Sequence, residues 1–209
     1  MELTRKQEEG LRIVIDRYNH NEPYTVIAGY AGTGKSTLIN FIIAALEVDP
    51  EEEVAYITFT GKASEVLREK GCHNAMTAHK LLYYSKQMPN GKFFYKPRTV
   101  LEKPYRVIVV DEVSMLPKDM WDLLLSHNIY VIACGDPFQI PPIDKKQDNH
   151  ILDNPHIFLD EVMRQAKESD IICLSMDIRE GKRLSPFSGH DAQVFKKNDL
   201  CDGMYFWAD

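Results

Sequence analysis

The stretch Gly29-Tyr30-Ala31-Gly32-Thr33-Gly34-Lys35-Ser36 has the form G-x-x-x-x-G-K-[ST], and its neighbours give it a direction. Tyr24–Ala28 before it is a short apolar run that predicts a buried strand. Residues 35–46 after it (KSTLINFIIAAL) predict an apolar helix. A glycine-rich turn between strand and helix lets backbone N–H groups close around a phosphate at the positive end of the helix dipole. In that geometry Lys35 reaches the β- and γ-phosphates and Ser36 ligates Mg²⁺. Gly29, Ala31, Gly32, Thr33, Gly34 and Thr37 complete the expected nucleotide-binding set, with ATP and Mg²⁺ as the expected ligands. A glycine-rich turn without a nucleotide is the bland alternative, and the flanking strand and helix argue against it.

Working outward, Val107-Ile108-Val109-Val110-Asp111-Glu112 is an apolar run ending in two carboxylates. Asp111 is expected to hold Mg²⁺, through water or Ser36, and Glu112 to polarise the attacking water. An Asp-Glu pair at a strand end is common in isolation and gains meaning only beside the phosphate loop. Further strands are predicted at Val54–Phe59, Arg106–Val110, Ile129–Cys134 and Ile157–Leu159. Helices are predicted after Thr4, over Lys62–Lys70, near Lys118–Ser126 and over Ser169–Arg179, with Gly71 and Gly181 as stop signals. This alternation predicts an α/β fold, a parallel sheet with helices on both faces and the ligand at the carboxyl ends of the strands.

Two stretches break the rhythm. Residues 83–105 place Pro89-Asn90-Gly91 between Tyr83-Tyr84 and Phe93-Phe94-Tyr95, the pattern of an inserted β-hairpin. Residues 141–156 read as a polar loop or linker. The expected division is residues 1–156 as one domain, with the hairpin insert at 83–105, and residues 157–209 as the start of an incomplete second domain.

The 209 residues are 44% hydrophobic and 27% charged, ordinary globular values. No apolar run approaches the roughly 20 residues that cross a bilayer, and no apolar stretch of signal-peptide type follows Met1-Glu2-Leu3-Thr4-Arg5-Lys6. Cys72, Cys134, Cys173 and Cys201 lie too far apart in sequence for a metal-binding pattern, so reduced thiols and a cytoplasmic setting are expected. The net charge of −6 excludes nucleic-acid binding driven by the whole-molecule field; any such contact must come from a local groove.

Asp111-Glu112-Val113-Ser114-Met115 followed by Gly135-Asp136-Pro137-Phe138-Gln139-Ile140-Pro141-Pro142 resembles motifs II and III of RecD/Dda-type superfamily 1 helicases. Leu3-Thr4-x-x-Gln7 is similar to the family's Q-motif, Thr60-Gly61-Lys62-Ala63 to motif Ia, Thr77-Ala78-His79 to motif Ib, and Leu159–Gln165 to motif IV. The set appears in the family's order from residue 3 to about residue 181, and the inserted hairpin stands where the family carries its strand-splitting pin. The resemblance implies a P-loop NTPase of RecA-like fold over residues 1–156, the start of a second RecA-like domain over 157–209, and a motor that couples ATP hydrolysis to 5′ to 3′ movement on single-stranded DNA and to duplex unwinding. It implies that Gln7 meets adenine, that Gln139 senses the γ-phosphate and that Arg164 points at it. It also implies that Thr60, Gly61, Lys62, Thr77 and His79 touch the strand. Phe93 and Phe94 are candidate base-stacking wedges, although at least one of them is expected to pack the hairpin onto the domain. Alone, Thr60 and Thr77 would read as helix caps, and His79 as a helix-surface histidine.

The sequence departs from the family in one respect. Residues 182–209 hold no match to motifs V and VI, so this chain alone is expected to bind nucleotide well and hydrolyse it poorly, an arginine finger contributing about 10³–10⁵ in rate. The remainder of the helicase, in cis or in trans, is then an implied partner, alongside single-stranded DNA and other replication or repair proteins in a bacterial or phage-infected cell. A non-catalytic, nucleotide-gated DNA-binding or regulatory subunit is the alternative. A small-molecule kinase would need an acceptor lid, and Gly135–Pro142 is out of character for one. Lys35→Ala is expected to abolish ATP binding while leaving the fold intact; an equilibrium titration showing wild-type ATP affinity in that variant would contradict the phosphate-loop reading.

Overall fold

The computed structural model describes residues 2–88, 90–139, 147–161, 169–179 and 181–194. Contacts group Met1–Tyr30 and Gly34–Asp160 into one compact unit, and Ala31–Thr33 with Glu161–Asp209 into another. In the first unit α1 (Arg5–Asn19) leads into β1 (Tyr24–Gly29), α2 (Lys35–Ala45), β2 (Val54–Thr58), α3 (Gly61–Glu69), β3 (Met76–Thr77) and α4 (Ala78–Leu82). The hairpin β4 (Tyr83–Gln87) and β5 (Phe93–Pro97) follows, then β6 (Val107–Val110), α5 (Lys118–Leu125), β7 (Tyr130–Gly135) and β8 (Ile157–Leu159).

Six strands form one parallel sheet in the order β3-β2-β6-β7-β1-β8. The central strands β6 and β7 are buried along their whole length, as a sheet covered on both faces requires. Side chains alternate between two cores. Ile27, Val107, Val109, Ile132 and Cys134 face a core completed by Val14 of α1 and Leu38 and Ile42 of α2. Val26, Ile108, Val110, Val131 and Ala133 face another completed by Leu82 of α4, Leu124 of α5 and Val113. The apolar i, i+4 pair Leu38–Ile42 makes α2 an element that buries one side against the sheet beside its own phosphate loop.

The structure corrects the sequence-based expectation in one place and adds to it in two. Ile157–Leu159, expected to open a second domain, hydrogen-bonds in parallel to β1 through Ile27↔Ile157 and Gly29↔Leu159, so the first unit runs to Asp160. Its alternating exposure (Phe158 out, Ile157 and Leu159 in) is that of an edge strand, which a short apolar run cannot distinguish from the start of a new sheet. The two-residue strand β3 and the one-turn helix α4 are too short for periodicity to register. The expected loop at 141–156 holds a 3-10 turn at Ile151–Asp153, while residues 140–146 lie outside the described residues.

In the second unit α6 (Asp170–Arg179) is followed by the small antiparallel pair β9 (Phe187–Ser188) and β10 (Gln193–Val194). Its order rests on Asp191, which accepts from the Ser169 hydroxyl at 2.6 Å and from the Asp170 amide at 2.8 Å. The C-terminal aromatic stretch Met204–Trp207 lies outside the described residues.

α1 packs closely at Gly10, where a methyl group would meet Ile157 Cγ2 at 3.1 Å and Leu38 Cδ2 at 3.2 Å. Gly10→Val is expected to destabilise the fold by about 1–3 kcal/mol through overpacking, read as a lower urea midpoint at unchanged slope; an unchanged midpoint would show that α1 does not seat on β8 and α2 this closely.

Candidate functional site

The parallel register brings three loop segments to one edge of the sheet. Because β7 lies between β1 and β6, the phosphate loop, the carboxylate pair and the Gln139 segment emerge side by side at strand carboxyl ends. In the phosphate loop Gly32 and Gly34 have φ of 75° and 79°, a left-handed backbone that L side chains rarely adopt. No side chain caps α2 after Gly34, so its first N–H groups face the loop without a side-chain acceptor. Lys35 Nζ donates to the carbonyls of Gly29 at 2.7 Å and Tyr30 at 2.9 Å, which holds the ammonium at the loop that phosphate would occupy. Ser36 is exposed at the start of the helix.

Asp111 extends the β2–β6 ladder, its amide donating to Ile57 O at 2.9 Å, and its Oδ1 accepts from the Glu112 amide at 3.0 Å. Glu112 adopts φ 54°, ψ 47°, a left-handed conformation unusual for a residue with a side chain, and then enters a 3-10 turn at Val113–Met115. Burial, and secondarily the Asp111 charge, pushes the Glu112 carboxyl above the usual carboxylate range. Beneath them the Cys134 thiol is fully buried; burial raises its pKa, the Asp111 charge adds to the rise and Lys35 opposes it. A thiol that feels both groups lies between the two halves of the site. Among the described residues no cluster of three His, Cys, Asp or Glu forms a metal cage, so a Mg²⁺ ion would take oxygens from Ser36, Asp111, phosphate and water.

Gln7 is buried and sits beside this loop. Its side chain closes a capping box with Thr4, and its Nε2 reaches Gly34 O at 3.4 Å. Gln139 is exposed on a turn in which its amide donates to Asp136 O at 3.0 Å. Asp136, to which the sequence alone assigns no role, is buried and accepts from the Phe138 amide at 3.0 Å. An acidic residue directly after an apolar central strand was its available signal. At the same edge the Tyr30 ring contacts both Phe138, at a centroid distance of 5.7 Å, and Phe158, at 5.4 Å. Arg164 lies outside the described residues.

The residues expected to meet DNA gather further along the edge, over β2 and β3. Thr60 caps α3 by accepting from Ala63 N at 3.2 Å, and Thr77 caps α4 by accepting from Lys80 N at 3.2 Å. Both hydroxyls therefore have a structural task, while Gly61, Lys62 and His79 are exposed. The His79 ring is 5.9 Å from Phe59, 5.9 Å from Tyr83 and 6.1 Å from Tyr95, and Tyr95 stacks on Phe93 at 6.4 Å. A line of rings thus leads from the sheet edge out along one face of the hairpin. The opposite face carries Tyr84, Lys86, Phe94 and Lys96, with the Arg98 guanidinium 4.0 Å over the Tyr84 ring. Phe93 and Phe94 are each 57% exposed, so neither packs the hairpin onto the domain as the sequence reading expected. Strand alternation sends consecutive side chains to opposite faces, and a hairpin standing off the sheet leaves both of them in solvent.

A family model described as an AAA domain matches residues 2–196. The ATP-dependent DNA helicase Dda of Enterobacteria phage T4 is 28% identical over 191 residues, covering 87% of this chain and 43% of that protein. The ATP-dependent DNA helicase PIF1 of Candida albicans is 28% identical over 196 residues, covering 73% of this chain and 20% of that protein. The crystal structure of Pif1 helicase from Candida albicans superposes with a TM-score of 0.56 at 23% identity, over 87% of this chain and 45% of that one. A structure of Pif1 helicases described as unwinding forked double-stranded DNA gives 0.59 at 20% identity, over 88% and 50%. These superpositions establish the fold. The chain spans less than half the length of the curated relatives Dda and PIF1.

Glu112 generates a pH test that needs no ligand. Its folded pKa is raised, so the native state binds this proton more readily than the unfolded chain, and stability falls as pH rises through the window between the two values. Glu112→Gln is expected to raise the thermal midpoint at neutral pH in metal-free buffer, with the gain shrinking as pH falls below that window. A gain independent of pH, or a loss at neutral pH, would contradict the burial of an ionised carboxylate.

Proposed function

Because the chain belongs to the AAA-domain family, we propose that it is the N-terminal RecA-like portion of a Pif1/RecD-like superfamily 1 helicase, the part of a DNA helicase motor that binds Mg-ATP and single-stranded DNA. In the complete protein it couples ATP hydrolysis to 5′ to 3′ translocation and duplex unwinding, the polarity resting on the resemblance to RecD and Dda. The observation that carries the reading is the juxtaposition at one sheet edge of the phosphate loop on β1 and the Asp111-Glu112 pair on β6, with β7 between them.

Each part has a task. The N–H groups of Gly29–Gly34 and the Lys35 ammonium bind the β- and γ-phosphates, with Ala31, Thr33 and Thr37 shaping the loop. Ser36 and Asp111 would hold Mg²⁺, and the ion would supply charge neutralisation at the phosphates. Glu112 orients the attacking water and accepts its proton, a role suited to a carboxyl whose pKa lies above the ordinary range. Gln7, in the first turn of α1 beside the loop, meets the adenine base, and Gln139 registers the γ-phosphate. Arg164 and the remainder of the motor, in cis or in trans, complete the charge stabilisation.

Thr60, Gly61, Lys62, Thr77 and His79 hold the strand by its backbone, while Phe93 and Phe94 stack on bases. Replication or repair proteins are the partners such a motor would serve, in the cytoplasm of a bacterial or phage-infected cell. No described helix is long and apolar enough to cross a membrane.

ATP turnover by this chain is expected to be slow and to rise when a single-stranded oligonucleotide is added. Phe93→Ala and Phe94→Ala are each expected to weaken oligonucleotide binding by about tenfold, the loss of one base-stacking contact, with ATP affinity unchanged. Turnover indifferent to the oligonucleotide, together with no binding by fluorescence anisotropy, would sink the motor reading.

A further inference from the structure

Glu112 is held in a left-handed conformation that its own side chain does not favour, so something outside the carboxylate pair must fix the turn that follows it. Within the turn the hydrogen bonds are two: Met115 N to Glu112 O at 3.0 Å and Leu116 N to Val113 O at 3.1 Å. A third and a fourth come from more than thirty residues away. Asn149 Nδ2 donates to Val113 O at 2.8 Å and to Leu116 O at 2.7 Å, bridging the start of the turn to the residue after it. Asn149 Oδ1 accepts from Ile151 N at 3.2 Å, which sets the orientation of the carboxamide: turned over, it would present an oxygen to two carbonyls.

The segment carrying Asn149 is itself seated. A methyl on Gly135, the last residue of β7, would lie 2.8 Å from Leu152 Cδ1 and 3.2 Å from Val113 Cγ1, so the 3-10 turn at Ile151–Asp153 rests on the end of the central strand and against the carboxylate turn. Asn149, Ser114 and Gln139 line one cavity of about 190 Å³. The segment therefore stands next to the residue assigned to sense the γ-phosphate.

From this geometry we infer that Asn149 is a positioning residue for Glu112, clamping the 3-10 turn so that the carboxylate is presented to the attacking water. The inference rests on the proposed function for the role of Glu112, and on the hydrogen bonds alone for the clamp. Asn149 has no place in the phosphate loop, the carboxylate pair or the DNA-facing residues.

The test separates the two halves. Asn149→Ala removes both donors, and Asn149→Asp keeps the shape while placing a carboxylate against two carbonyls. Both variants are compared with the wild-type chain by amide hydrogen exchange, ATP binding and ATP turnover. The expected result is exchange at Met115 and Leu116 faster by about tenfold or more, with β1 and α2 unaltered. Turnover should fall by about tenfold to a hundredfold at unchanged ATP affinity. Unchanged exchange at the turn in both variants would overturn the clamp. A loosened turn with full turnover, or parallel losses of ATP affinity, thermal midpoint and turnover, would overturn the positioning role. A wild-type chain that binds no ATP would overturn the proposed function and the catalytic half of this inference with it, while exchange would still judge the clamp.

Discussion

The parallel insertion of β7 between β1 and β6 is the constraint on which the other features depend. Parallel neighbours need crossover connections, and those connections place helices on both faces. The central strands must then be apolar on both sides, which Val107–Val110 and Tyr130–Gly135 are. The same constraint sends the carboxyl end of each strand to one edge, so the phosphate loop, Asp111-Glu112 and the Asp136–Gln139 turn meet without any long-range loop having to find its place. Cys134 lies at the centre of this arrangement, fully buried and within the fields of both Asp111 and Lys35.

The sheet also ties the nucleotide side to the other candidate group. β6 pairs with β2 in register from Val54↔Val107 to Ile57↔Val110, and the Asp111 amide adds one more bond to Ile57 O. Two residues after β2 ends at Thr58 comes Thr60, the cap of α3. A displacement of Asp111 along the strand direction is thus resisted by a hydrogen-bonded ladder that leads straight to the residues assigned to the DNA backbone. Rigid coupling of this kind needs no flexible relay, since packed strands shift as units.

Much of this was legible in the sequence because the signals were local. The phosphate loop needs two left-handed glycines, a lysine and a hydroxyl in eight residues, and Asn90-Gly91 between aromatic runs needs nothing beyond itself to make a turn. The sheet's parallel character followed from the alternation of apolar runs and helices. What was missed depended on distant partners. Ile157–Leu159 looks the same whether it starts a sheet or closes one, and only pairing with Ile27 and Gly29 settles it. Asn149 sits in a polar stretch whose composition suggests a linker; its task comes from Val113 and Leu116, more than thirty residues earlier. The exposure of both Phe93 and Phe94 required knowing that the hairpin stands off the sheet.

The hairpin has a further consequence, for how the molecule meets a polyanion before touching it. Between Tyr83 and Arg98 the sequence carries Lys86, Lys92, Lys96 and Arg98 and no acidic residue, so the rest of the chain holds −10 of the whole-chain −6. Such a molecule is repelled by a phosphate backbone in most orientations and attracted in few. The field therefore acts as an orienting torque within roughly a Debye length, about 8 Å at physiological salt. Encounters that lead with the hairpin are selected, and others are turned away before contact. Charge segregation of this kind shapes the rate and pose of association more than its final strength, which is how an acidic protein can present a basic finger to a polyanion without adhering to it elsewhere.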